Sequence, residues 1–118
     1  MLPRAARMRS AAEFRATTRT GRRVPRPSCV IHLVVDPSSD GCRVGLVTSK
    51  AIGGSVERHR AARRMRAALR PLIPLLPPGS RLVVRALPGA DRAGDLAVQI
   101  DSAVRQALAS NPSVDPRG

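Results

Sequence analysis

Residues 55–70 read SVERHRAARRMRAALR, and the spacing of apolar side chains in this run leaves little freedom in how it can fold. At about 100° per residue, Ala61, Ala62, Met65, Ala68 and Leu69 fall within one arc of about 120°, the stripe of a helix that packs on a core. Arg60, Arg63, Arg64, Arg66 and Arg70 fill the opposite side, with His59 at its margin. Arg58 falls inside the apolar arc, but in the first turn, where a long side chain can reach past the core's edge. Glu57 is the only acid in the run. A purely structural surface helix gains by alternating signs at i,i+4, whereas unbroken like charges repel one another. A solvated charged face is the bland reading. A face that lies against a polyanion explains the clustering.

The rest of the chain bears on that choice. The formal net charge is +13 and the sequence pI about 11.9, an imbalance that points first to nucleic acid and second to an anionic membrane surface. Twenty arginines stand against Lys50 alone. A GC-rich genome would favour arginine codons, but codon usage does not decide where charge clusters. Arginine's planar fork grips phosphate bidentately and stacks on exposed bases. No apolar run approaches the ~20 residues of a membrane span. Phe14 is the only aromatic residue, so a modest core of small and β-branched side chains is expected in one domain of 118 residues.

Elements follow from the pattern. Residues 1–9 form a basic lead expected to be disordered. Arginine-rich and acid-poor, the first 23 residues superficially suit an organellar transit peptide, but SAAE at Ser10–Glu13 is a capping-box signature, which favours a folded helix to about Arg19, ended by Gly21. RRVPRP reads as an extended connector, because two prolines oppose both helix and central strand. CVIHLVV alternates Cys29, Ile31, Leu33 and Val35 with Val30, His32 and Val34, and both faces are apolar enough to need cover. CRVGLVT reads as its hairpin partner across DPSSDG. That register sets Cys29 opposite Ser49, too far from Cys42 for a disulfide, so a reduced, cytoplasmic protein is expected. PLIPLLPPG ends the arginine helix, and RLVVRA is a further strand. Asp91 is the expected N-cap of a last helix with Leu96, Ile100, Ala103, Val104, Ala107 and Leu108 on its inner face. Residues 110–118 read as a disordered tail. The fold class is α+β: a single two-layer α-β sandwich spanning residues 10–109.

Side-chain catalysis finds no footing here. The eight acids are scattered, and Asp36 and Asp40 sit in turn chemistry. His32, His59, Cys29 and Cys42 have no zinc spacing, and GLVTSK lacks the glycines of a phosphate loop. No catalytic and no metal-ligating residue is assigned.

The stretch RVGLVTSKAIGGSVERHRAARRMR resembles the protein subunit of bacterial ribonuclease P. Arg43, Val44, Gly45, Ser49, Lys50, Gly53, Arg58, Arg60, Arg63 and Arg66 match that family's Arg-Val-Gly-x-x-x-Ser-Lys pattern, glycine loop and basic helix. MRSAAEF with Gly21 looks like its first helix, and RLVVRALPGA like the strand after the basic helix. His59 stands where the family has asparagine, and Ala62 where it has lysine. Thr18 and His32 occupy positions where the family often has aromatics.

The resemblance implies an α-β-β-β-α-β-α order with an unusual left-handed crossover around the basic helix. It implies docking on the catalytic RNA through Lys50, Arg58, His59, Arg60, Arg63, Arg64, Arg66 and Arg70. Phe14, Thr18, His32 and Arg43 would line a cleft for the single-stranded 5′ leader of precursor tRNA. Hydrolysis would rest on magnesium held by the RNA, with no cofactor on the protein alone, in a complex of one protein with one RNA. Two other classes stay open at this point: a ribosomal or general RNA-binding protein, and a DNA-binding regulator. The latter is disfavoured because no helix precedes the basic one as a helix-turn-helix requires.

Overall fold

The computed structural model describes residues 7, 8 and 10–110. The first helix, α1 (Ala11–Thr20), is capped as its sequence demands: Ser10 Oγ accepts the Glu13 N–H at 3.1 Å. Of the expected lead, Arg7 and Met8 are placed, and Arg7 forms a parallel bridge with Val44 while Met8 is buried. The remaining lead residues and residues 111–118 of the tail lie outside the described residues; Ser110 closes the last helix.

Four strands follow: β1 (Arg22–Pro25), β2 (Cys29–Val35), β3 (Arg43–Val47) and β4 (Ser80–Ala86), in the sheet order β1-β2-β4-β3. Two expectations are corrected here. RRVPRP is not merely a connector: its first four residues form β1, and as an edge strand it tolerates Pro25. The CVIHLVV and CRVGLVT runs do not form a hairpin. β4 inserts between them, antiparallel to β2 and parallel to β3. The physical reason lies in β4, whose consecutive Leu82, Val83 and Val84 are all fully buried and so claim an interior place, leaving the less apolar β3 at the edge. The DPSSDG turn forms as its residues suggest, with Asp36 accepting from the Ser38 N–H and the Ser38 and Ser39 hydroxyls. It is latched to the start of β4. The Asp36 N–H donates to Gly79 O and the Gly79 N–H to Gly41 O. Gly79 sits at φ +89°, and a Cβ there would lie 1.8 Å from Asp36 O, so only glycine fits. Cys29 and Cys42 are both free thiols, although the hairpin register that first separated them does not exist.

The arginine run forms α2 (Ser55–Leu69), which makes the crossover from β3 to β4 and continues into a 3-10 helix over Arg70–Leu75 where prolines end the α-helical bonding. Its stripe packs as the wheel requires. Ala61, Met65 and Leu69 are buried, with Ala62 and Ala68 half-buried. The last helix, α3 (Leu96–Ser110), begins later than expected. Asp91 is not its N-cap; the carbonyl of Asp95 accepts the Gln99 N–H instead, and residues 87–95 form successive turns. Leu96, Ile100, Ala103, Val104 and Ala107 join Ile31, Leu33, Leu82 and Val84 in the core between this sheet face and α2 and α3. On the other face α1 lies over part of the sheet, so each face is covered differently.

Candidate nucleic-acid interface

The outer side of α2 is one basic surface. Lys50 is exposed in the turn that leads to it, and His59, Arg60, Arg63 and Arg70 are exposed along it. Arg58 is half-buried and its Nε donates to Gly54 O at 3.4 Å, so it folds back over the first turn rather than into the core. Arg63, Arg66 and Arg70, with Ala67 and Pro71, border an open groove of about 490 Å³. Guanidinium forks around an open groove are suited to phosphate.

Arg60 and Arg64, both in the outward arc, are engaged within the protein. Arg64 does not simply face solvent: it donates to Ala90 O at 3.1 Å and also to Ala93 O, tying α2 to the 87–95 segment. Arg60 lies 3.7 Å from the Asp91 carboxylate. A helical wheel reports which side a residue occupies, not which neighbouring loop reaches up to meet it.

The second surface is the sheet face beside α1. Alternation along β2 and β4 puts His32 and Val34, with Arg81, Val83 and Arg85, on this side, and register sets Arg23 beside His32. Phe14 packs its ring over Gly45, where a Cβ would come within 2.5 Å of two ring carbons. The family-matching glycine is thus the seat of the only aromatic side chain. Thr18 lies half-buried one turn along, its hydroxyl donating to the carbonyls of Phe14 and Arg15. Arg43 is 3.7 Å from Glu13, and Arg81 is 3.4 Å from the same carboxylate, so Glu13 offsets part of the charge at this end.

His32 sits at the middle of β2, paired with Val83 of β4. Burial, then the charges of Arg23 and Arg85, hold its imidazole below the ordinary value, so it is neutral at neutral pH. Its Nδ1 is buried and takes no hydrogen bond among the described residues. The structure therefore brings Phe14, Thr18, His32 and Arg43 to one face, and adds Arg23, Arg81 and Arg85. The alternation in RLVVRA carried the signal for the last two. Nothing in RRVPRP alone announced Arg23, because it depends on β1 being a strand.

Among the described residues, no three His, Cys, Asp or Glu side chains gather as a metal site would require, and no helix is long and apolar enough to cross a membrane. What the two surfaces can do is bind polyanions, one as a broad basic face on α2 and the other as a sheet face carrying Arg23, Arg81 and Arg85.

The Ribonuclease P family model matches residues 2–109. The chain belongs to the Ribonuclease P family. It is 50% identical over 93 residues to the "Ribonuclease P protein component" of Mycolicibacterium paratuberculosis, covering 75% of this chain and 78% of that one. It is 44% identical over 118 residues to the protein of the same name from Streptomyces avermitilis, covering 92% and 96% respectively. Among solved structures, a Staphylococcus aureus RNase P protein mutant superposes with a TM-score of 0.71 at 22% identity, covering 89% of this chain and 86% of that one. The Thermotoga maritima RNase P protein gives 0.58 at 20% identity, covering 87% and 91%. At those identities the structural likeness speaks for the fold, and the fold is the family's.

Proposed function

We propose that the chain is the protein subunit of ribonuclease P and assists a catalytic RNA in removing the 5′ leader from precursor tRNA. The observation that carries the mechanism is the division of the arginines between two surfaces of a family-typical fold. The α2 surface of Lys50, Arg58, His59, Arg60, Arg63, Arg66 and Arg70 docks on the RNA subunit, with Arg64 fixing the helix against its neighbouring loop. The cleft of Phe14, Thr18, His32 and Arg43, bordered by Arg23 and Arg85, receives the single-stranded leader. Phe14 offers the one stacking surface, so arginine and backbone contacts carry most of the leader's affinity.

Magnesium bound through the RNA would supply the hydrolytic chemistry. On this reading the protein's own residues bind, orient and neutralise. A single protein per RNA, working in the cytoplasm, is the arrangement this reading entails. The test is direct: purified protein added to the family's catalytic RNA should stimulate cleavage of precursor tRNA at moderate salt. Absence of stimulation, with RNA binding intact, would return the chain to the class of general RNA-binding proteins.

A further inference from the structure

Among the described residues, Asp91 is the one acid whose side chain is almost wholly enclosed, at 2% exposure. It stands in the 87–95 segment, directly beside α2, between Arg60 at 3.7 Å and Arg92 at 3.6 Å. Its Oδ2 is buried and accepts no hydrogen bond among the described residues. A buried carboxylate oxygen held only by ion pairs is costly to stability, because charge attraction repays desolvation poorly without hydrogen bonds. Beyond these ion pairs, neither guanidinium donates a hydrogen bond among the described residues, and the two side chains stay 46% and 81% exposed. Arg64, one turn along α2 from Arg60, secures the same segment by donating to the carbonyls of Ala90 and Ala93, which bracket Asp91.

We infer that Asp91 is a positioning residue, its buried carboxylate holding Arg60 and Arg92 together as one grip for RNA phosphates. The RNA-docking surface then extends beyond α2 onto residues 87–95, with Arg92 as a contact that the helix alone does not contain. The inference rests on the reading of α2 as the docking face. It also makes a prediction opposite in sign to bulk electrostatics. Removing an acid from a basic surface should tighten RNA binding, whereas releasing two positioned arginines should weaken it.

Affinity for the catalytic RNA, measured at fixed magnesium and several salt concentrations alongside thermal melts, tests this with four variants. Asp91→Asn should weaken binding roughly fivefold to tenfold without lowering the melting temperature. Arg92→Gln should weaken binding and flatten the slope of log K against log salt by about 0.7 to 0.9, one phosphate's worth. In an Arg60→Gln background, Asp91→Asn should cost less than about twofold, since one of its two clients is gone. Unchanged or tighter binding by folded Asp91→Asn overturns the inference. Should that variant fail to fold, Arg92→Gln decides, because Arg92 lies outside the core, and an unaltered slope there overturns it as well. Arg60→Gln separates the two levels. If it leaves affinity untouched, the docking face itself is wrong; if it weakens binding while Asp91→Asn does not, only the positioning role is lost.

Discussion

Phe14 has two uses, and the structure shows how one side chain serves both. Its ring is half-buried against Gly45, yet it borders the face assigned to the leader. Phe14→Leu keeps apolar contact with the glycine and removes the flat π-surface. Binding of precursor tRNA with a leader should then weaken by about 1–3 kcal/mol per stacked base, while mature tRNA binds as before. Equal losses on both substrates would mean that the ring only packs. His32 makes the pH prediction at this scale. Its imidazole is harder to protonate folded than unfolded, so the unfolded chain takes up more protons as pH falls. Stability is therefore unaffected well above the ordinary imidazole value of about 6.5 and declines below it. His32→Gln should flatten the decline in melting temperature between about pH 7 and pH 5. An identical decline in the variant would show that other groups carry it.

Among the elements, α2 was the most legible and the β2–β3 pairing the least. The apolar stripe of Ala61, Met65 and Leu69 follows from a local period, and local periods are written in consecutive residues. Which strand lies beside β2 is decided far downstream: Ala86 meets Cys29 and Ser80 meets Val35, pairings that no turn rule connects. The residues Asp36–Gly41 specify a turn but not what it joins, because its bonds to Gly79 form only where β4 begins. The same blindness affected the arginines. Arg63 and Arg64 both fall in the outward arc of the wheel, yet Arg64 is committed to two backbone carbonyls. Arg64→Gln should thus cost stability, about 1–3 kcal/mol for losing charge-assisted bonds, with little change in salt slope. Arg63→Gln should do the reverse, leaving the melt unchanged and flattening the slope by about 0.7 to 0.9. Identical behaviour of the two variants in melt and titration would dissolve the distinction.

For the whole molecule, the polyanion partner was legible from charge alone, and the family from the ordered motif between Arg43 and Arg66. The closing of the site was not: Arg23, Asp91 and Arg92 reach their surfaces only through sheet order and the late start of α3. A small core without aromatic packing carries a net charge of +13, and self-repulsion of that size loosens a compact state. An RNA that binds only the folded form removes the repulsion and adds its binding free energy to folding. At a free RNA concentration of about 100 times Kd, that linkage is worth about 2.7 kcal/mol, which for a domain of this size raises the melting temperature by roughly 10–20 °C. Thermal melts of the protein with and without the catalytic RNA, repeated at rising salt, measure it. The shift should shrink as salt rises, because the affinity behind it depends on released counterions. Charge-reducing substitutions on α2 such as the Arg63→Gln/Arg66→Gln pair should diminish the shift while leaving the melt of the free protein unchanged or higher. A shift that ignores both salt and these substitutions would show that RNA stabilises the chain through some other surface, and α2 would then be only a solvated face.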